Sequence, residues 1–85
     1  MKIKLFTKKG CIKCPTAKRL CEELSNKINI ESYLVDETNG ITEANHYEVI
    51  STPSIILVDD KDKEIKSFRG TVPTKEELIG AINAN

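Results

Sequence analysis

Eighty-five residues are enough for one hydrophobic core but not two, so the chain reads as a single domain over residues 1–85. Its 13 basic residues balance 13 acidic ones, leaving no net field to draw it to nucleic acid or an anionic membrane surface. The longest apolar run, Ile55-Ile56-Leu57-Val58, is far too short to span a bilayer. The opening stretch from Met1 to Phe6 alternates charge with bulk and lacks the apolar segment of a signal peptide. These features lead us to expect a soluble, cytoplasmic monomer. Three cysteines is an odd number, which argues against a secreted disulfide framework. In a reducing compartment a close cysteine pair is more often catalytic or metal-binding than a permanent staple.

In chain order, Lys2 to Phe6 alternates as a strand, with Ile3 and Leu5 on one face and the lysines on the other. Thr7 to Gly10 reads as a loop, and Gly10 allows a tight turn just ahead of Cys11. Cys14, Ala17, Cys21, Leu24 and Ile28 follow the three-four spacing of an amphipathic helix. Pro15 falls in its first turn, where a missing N–H costs nothing. Cys11 therefore lies at or just before the helix N-terminus and Cys14 within the first turn. Ile30 to Asp36 has the composition of a second strand, and Asp36 to Gly40 interrupts it. Thr42 is the expected cap of a short helix over Glu43 to Glu48.

Ser54 to Val58 is an unbroken apolar strand of the kind covered on both faces. Asp59 to Lys63 is a polar turn, and Glu64 to Phe68 alternates again, so the two strands should form an antiparallel hairpin. Gly70 and Pro73 punctuate the chain. Thr74 and Glu77 then form a capping box for a last helix reaching about Asn83. The order is β-α-β-α-β-β-α: an α/β fold with a four-stranded mixed sheet and helices on both faces. The Cys-x-x-Cys falls at the carboxyl end of the first strand, where open α/β sheets place their active sites.

The spacing of Cys11 and Cys14 alone serves disulfide exchange and metal ligation equally well. The surrounding residues add a resemblance. Cys-x-x-Cys-Pro between a first strand and a first helix, with "STPSI" ahead of a buried strand, resembles the thioredoxin-fold superfamily. The length is similar to that of the glutaredoxins and of the small thioredoxins of methanogenic archaea. The stretches "CIKCPTAKRLCEEL" and "PTKEELIGAI" are closest to the latter, and the similarity runs from Met1 to about Asn83. It implies that Cys11 is the nucleophile and Cys14 the resolving cysteine. It also implies that Pro53 follows a cis peptide bond whose Thr52 backbone pairs with substrate, and that the protein is a disulfide reductase needing no cofactor. Its partners would be disulfide-containing client proteins and a donor of the thioredoxin-reductase type.

Three positions depart from the resemblance. Gly10 replaces the aromatic residue that thioredoxins carry before the first cysteine. Leu5 stands where they place a buried carboxylate. "FRGTVPTKEEL" has one glycine where glutaredoxins use a glycine pair to hold glutathione. The glutathione-dependent alternative is therefore the weaker one.

The chemistry agrees with the redox reading. A helix N-terminus favours the thiolate that disulfide exchange requires, and Lys13, with Lys8 and Lys9, adds positive potential. Cys14, one turn inward, is the less accessible sulfur. A soft-metal (zinc or copper) site is the alternative from another class. It would want four ligands, and only Cys21 and His46 remain. Cys21 lies two turns beyond Cys14 on the apolar stripe and reads as a small core residue. His46 reads as solvent-facing. A pure binding module would leave the Cys-x-x-Cys unexplained. Asp59, Asp60 and Asp62 lack the glycine and closing glutamate of a calcium loop and read as a solvated turn. Arg69 reads as a surface arginine.

Overall fold

A computed structural model of the chain describes residues 1–84. The elements are β1 (Lys2–Thr7), α1 (Cys14–Leu24), β2 (Asn29–Leu34), α2 (Thr38–His46), β3 (Ser54–Val58), β4 (Glu64–Arg69) and α3 (Lys75–Asn83). The four strands form one sheet in the order β2-β1-β3-β4. β1 runs parallel to β2 and antiparallel to β3, and β3 and β4 form the expected hairpin. The fold is thus the thioredoxin-like α/β arrangement expected from the sequence.

β1 and β3 occupy the centre, and both faces are covered. Ile3, Leu5, Ile55 and Leu57 pack with Ala17, Leu20, Cys21 and Leu24 of α1 and Leu78 of α3. Phe6, Ile56 and Val58 turn the other way, against Ala44 and Tyr47 of the α2 region. Burying each large aliphatic side chain is worth about 1.5–3 kcal/mol, so the two clusters clamp the sheet from both sides. α3 starts on the capping box read in the sequence: Glu77 N–H donates to Thr74 Oγ1 at 3.1 Å and Thr74 N–H to Glu77 Oε1 at 3.0 Å. Among the described residues no helix is long and apolar enough to cross a membrane.

The structure corrects the expectations at several places, among them β4, which runs one residue further, to Arg69. β1 extends one residue further, to Thr7, so the loop begins at Lys8. Lys4 lies on the face opposite Ile3 and Leu5, as read in the sequence, and α2 covers that side of the sheet. It is 5% exposed and ion-paired to Glu43 and to Glu31, the latter at 3.5 Å. β2 begins one residue earlier and ends two earlier than expected, at Leu34, where Glu37 N–H turns back to the Leu34 carbonyl.

The largest correction concerns α2, which spans Thr38–His46 in place of the short helix capped by Thr42. Thr42 lies inside it, its hydroxyl donating to the Thr38 carbonyl at 3.2 Å. Gly40, read as a breaker, is the point where the helix presses on β2: a Cβ there would fall inside the Leu34 carbonyl group. In α1, Leu20 joins the buried stripe, and Ile28 packs from the turn beyond the helix end.

Candidate active site

The parallel and antiparallel pairings of β1 bring three connections to one end of the sheet: residues 8–13 after β1, residues 35–37 after β2, and the approach to β3. After β1 the chain turns at once. Cys11 N–H donates to the Lys8 carbonyl at 3.3 Å, and Gly10 takes φ +80°, a left-handed conformation that costs glycine little. α1 then begins at Cys14, with Pro15 in its first turn and Lys13 in the capping position. Lys13 has no acceptor on its side chain and makes no capping hydrogen bond, and the first turn holds no acidic residue. The unpaired N–H groups and the positive end of the dipole are thereby left for the sulfur at Cys11.

Cys11 and Cys14 are joined as a disulfide, their Cα atoms 5.4 Å apart. Cys11 is half-exposed, whereas Cys14 is 4% exposed. A sulfur acceptor or attacker from outside meets Cys11 first. Across the sheet end, the Thr52–Pro53 peptide bond is cis. Phe6 pairs with Ser54 in register, which brings Pro53 level with Thr7, where β1 ends. Two hydrogen bonds hold the turn: Gly70 N–H to the Pro53 carbonyl at 2.9 Å and Ser54 Oγ to the Ser51 carbonyl at 2.7 Å. Gly70 itself has φ +71°, and a Cβ there would crowd the Ser51 hydroxyl, so this glycine lets the β4 end close over the turn. Pro53 is buried and Thr52 half-buried.

The other singled-out residues lie elsewhere. Cys21 is 1% exposed, and burial, with a smaller contribution from the Glu22 charge, pushes its thiol up to about 11. His46 is exposed, with its ring edge-on to Tyr47 at 4.7 Å. Asp59 closes the β3–β4 turn, its carboxylate accepting from Lys61 N–H at 2.8 Å and Lys63 N–H at 3.0 Å. Asp60 pairs with the N-terminus and Asp62 with Lys2. Among the described residues no three His, Cys, Asp or Glu side chains come together as a metal-holding group.

Arg69 is not a free surface cation. Its guanidinium donates to both Glu64 oxygens at 2.9 and 3.1 Å, to the Tyr47 carbonyl at 2.7 Å, and to Ser67 Oγ. Sequence reasoning passed over Ile12 and Ile50, which are 93% and 97% exposed near the disulfide and the cis-proline turn. Ile50, two residues ahead of Thr52 in a stretch with no strand alternation, was the available signal.

A disulfide between an accessible and a buried cysteine at a helix N-terminus, set against a cis-proline on this sheet, defines a dithiol–disulfide centre. Known proteins agree. Residues 1–83 match the family model described as the thioredoxin domain. A thioredoxin of Methanocaldococcus jannaschii is 34% identical over 84 residues, covering 96% of this chain and 92% of that protein. Thioredoxin 1 from the thermophilic eubacterium Thermosipho africanus has the same fold with a TM-score of 0.82 and 26% identity, over 99% of this chain and 92% of that one. A thioredoxin-like protein from Clostridium perfringens, 18% identical, shares the fold at a TM-score of 0.84, over 98% of this chain and 68% of that one. The chain belongs to the thioredoxin domain family, and it is a thiol–disulfide oxidoreductase.

Proposed function

We propose that the protein reduces disulfides of client proteins by passing two electrons from the Cys11–Cys14 dithiol. The Cys11 thiolate attacks one sulfur of the client disulfide, forming a mixed disulfide and releasing the other client sulfur as a thiolate, which takes a proton from water. Cys14, having lost its proton to water, then attacks the Cys11 sulfur, closing the Cys11–Cys14 disulfide and releasing the second client sulfur as a thiolate, which is protonated in turn. Thr52 offers backbone for an extended client strand beside the reacting sulfurs, and Pro53 holds it in place. Lys13 adds positive charge beside the thiolate. The observation that carries the assignment of roles is the contrast in burial across one disulfide, Cys11 accessible and Cys14 covered.

The dithiol is regenerated from the Cys11–Cys14 disulfide by a flavoprotein donor of the thioredoxin-reductase type, in a reducing compartment such as the cytoplasm, and the protein works as a single-domain monomer. Glutathione is a poorer donor. Binding that small anion needs contacts on both sides of the nucleophile, and the Gly70–Pro73 stretch supplies bulk and a missing N–H where a glycine pair would serve. Arg69 cannot take its carboxylate without giving up Glu64 and Tyr47.

Two measurements test the reading. Cys14→Ser should accumulate long-lived mixed disulfides with client proteins, while Cys11→Ser should form none; turnover by Cys14→Ser at the wild-type rate overturns the division of roles. Reduction of the disulfide should be fast and saturable with micromolar reductase and its pyridine nucleotide, and slow with millimolar glutathione. The reverse order makes the protein a glutaredoxin.

A further inference from the structure

Lys8, Lys9 and Lys13 bracket Cys11 along the chain, and all three are exposed. Among the described residues none of them enters an ion pair, whereas Lys2, Lys4, Arg69 and Lys75 are each held by a carboxylate. Lys18, Arg19, Lys27, Lys61, Lys63 and Lys66 are unpaired too, but they are spread over α1, the turn after it and the β3–β4 hairpin and do not flank the disulfide. A paired ammonium is already neutralised; an unpaired one keeps its potential for whatever approaches. The active loop thus carries three uncommitted positive charges in a chain whose overall charge is zero. The acids at the same end of the sheet are Asp36 and Glu37, which follow β2 and so lie on the side of β1 away from β3, and Glu48. The lysine loop intervenes between the first two and the Thr52 edge.

The apolar side chains at this end are equally uncommitted. Ile12, between the two cysteines, and Ile50, two residues before Thr52, are the most exposed large hydrophobic residues in the described chain. A single exposed isoleucine means little. Two of them, in the loops that carry the disulfide and the cis-proline, offer apolar area that only a partner can cover.

We infer that the protein selects client disulfides set in acidic segments that carry an apolar residue next to the attacked cysteine. This rests on the client-reducing reading above and names its substrate class. Lys8, Lys9 and Lys13 attract and orient the acidic segment, raising its encounter rate, and Ile12 and Ile50 receive the apolar residue once it lies along Thr52.

The test uses the reduced wild-type protein with three disulfide-linked peptide dimers built on Glu-Glu-Cys-Ile, Lys-Lys-Cys-Ile and Glu-Glu-Cys-Ser. At an ionic strength of about 0.02 M the first should be reduced on the order of tenfold faster than the second, the gap closing at about 0.5 M salt. The double variant Lys8→Glu/Lys9→Glu should invert that order. Lys27→Glu/Lys61→Glu, which changes lysines at the opposite end of the sheet, should keep it. Ile50→Ser should slow the isoleucine peptide towards the rate of the serine peptide and leave the salt dependence intact. Equal rates for the acidic and basic peptides at low salt, or a charge inversion without effect, overturn the inference alone. Failure to reduce any of the three overturns the client-reducing reading and this inference with it.

Discussion

Cys14 and Cys21 occupy one stripe of one helix, two turns apart, yet their surroundings set them different tasks. Cys14 shares a disulfide with an accessible partner, whereas Cys21 is enclosed by Leu5, Ala17, Leu24 and their neighbours. Burial favours its neutral thiol, and the folded-state value of about 11 exceeds the ordinary 9.0. The proton is therefore held more tightly in the folded chain. Between pH 9 and 10 the unfolded chain loses that proton first, so stability should fall by about 1 kcal/mol over that interval. The oxidised protein isolates the effect, since Cys11 and Cys14 do not titrate as a disulfide. Urea midpoints of oxidised wild type and Cys21→Ala, compared at pH 8, 9 and 10, should diverge in slope, with the variant flatter though less stable at pH 8. Parallel slopes would remove the buried thiol as the cause. The interior place of Cys21 was legible because a three-four stripe says which side of a helix faces the sheet. The burial of Lys4 was not legible for a related reason: alternation in a strand says which residues share a face, not what covers it, and α2 covers this one.

At the scale of elements, α2 is held to the sheet by an ion pair under its middle turn. Lys4 Nζ reaches Glu43 and lies 5.3 Å from the Tyr47 ring centre and 5.6 Å from that of Tyr33. Burial alone would depress this ammonium, but the hydrogen bond and charge of Glu43 outweigh it and hold the lysine above its ordinary value. The two partners are unequally enclosed, with side chains 6% and 27% exposed. Removing Glu43 strands a charge that has little access to water; removing Lys4 leaves a carboxylate that can be hydrated. Breaking a buried pair costs about 3–5 kcal/mol, and the partial exposure here, with Glu31 still near, reduces Glu43→Leu to about 2 kcal/mol. Lys4→Met should cost less than about 1 kcal/mol, and the double variant should fall between them or match wild type. A denaturation cycle over the four proteins decides it, and Lys4→Met emerging as the most destabilised would reverse the argument. The same helix shows where sequence reading stops. Gly40 carries a breaker's identity, but its service is a close approach to the Leu34 carbonyl, a tertiary fact without local signature. Thr42 offers a capping side chain to a helix that had begun four residues earlier. By contrast Cys11, Cys14 and Pro53 were legible through a resemblance, because "CIKCP" and "STPSI" match the segments that the thioredoxin-fold superfamily sets against each other. The positive potential of Lys8, Lys9 and Lys13 was legible too, but their freedom from ion pairs was not, since pairing depends on carboxylates distant in the chain.

For the whole molecule, the sheet order divides the strands by protection. β1 and β3 are each paired on both edges and covered on both faces; the five residues Ile3–Thr7 and the five of β3 are all buried. β2 and β4 are edge strands in which no residue is fully buried. Local opening free energies follow enclosure, so amides of Leu5, Phe6, Ile56 and Leu57 should exchange only through global unfolding. Those of α2, held by a smaller cluster, should open earlier. The arrangement matters for the redox cycle. The disulfide hangs on the loop after β1 and the cis-proline on the approach to β3, both at the ends of the two most protected strands. Cys11 and Cys14 can then separate on reduction while their foundation stays closed. Hydrogen exchange of oxidised and reduced protein, at equal pH and temperature, should differ at residues 8–17 and 50–53 and agree within β1 and β3. Central-strand amides that exchange markedly faster in the reduced form would mean that the disulfide braces the core itself, and that each turnover loosens the whole sheet.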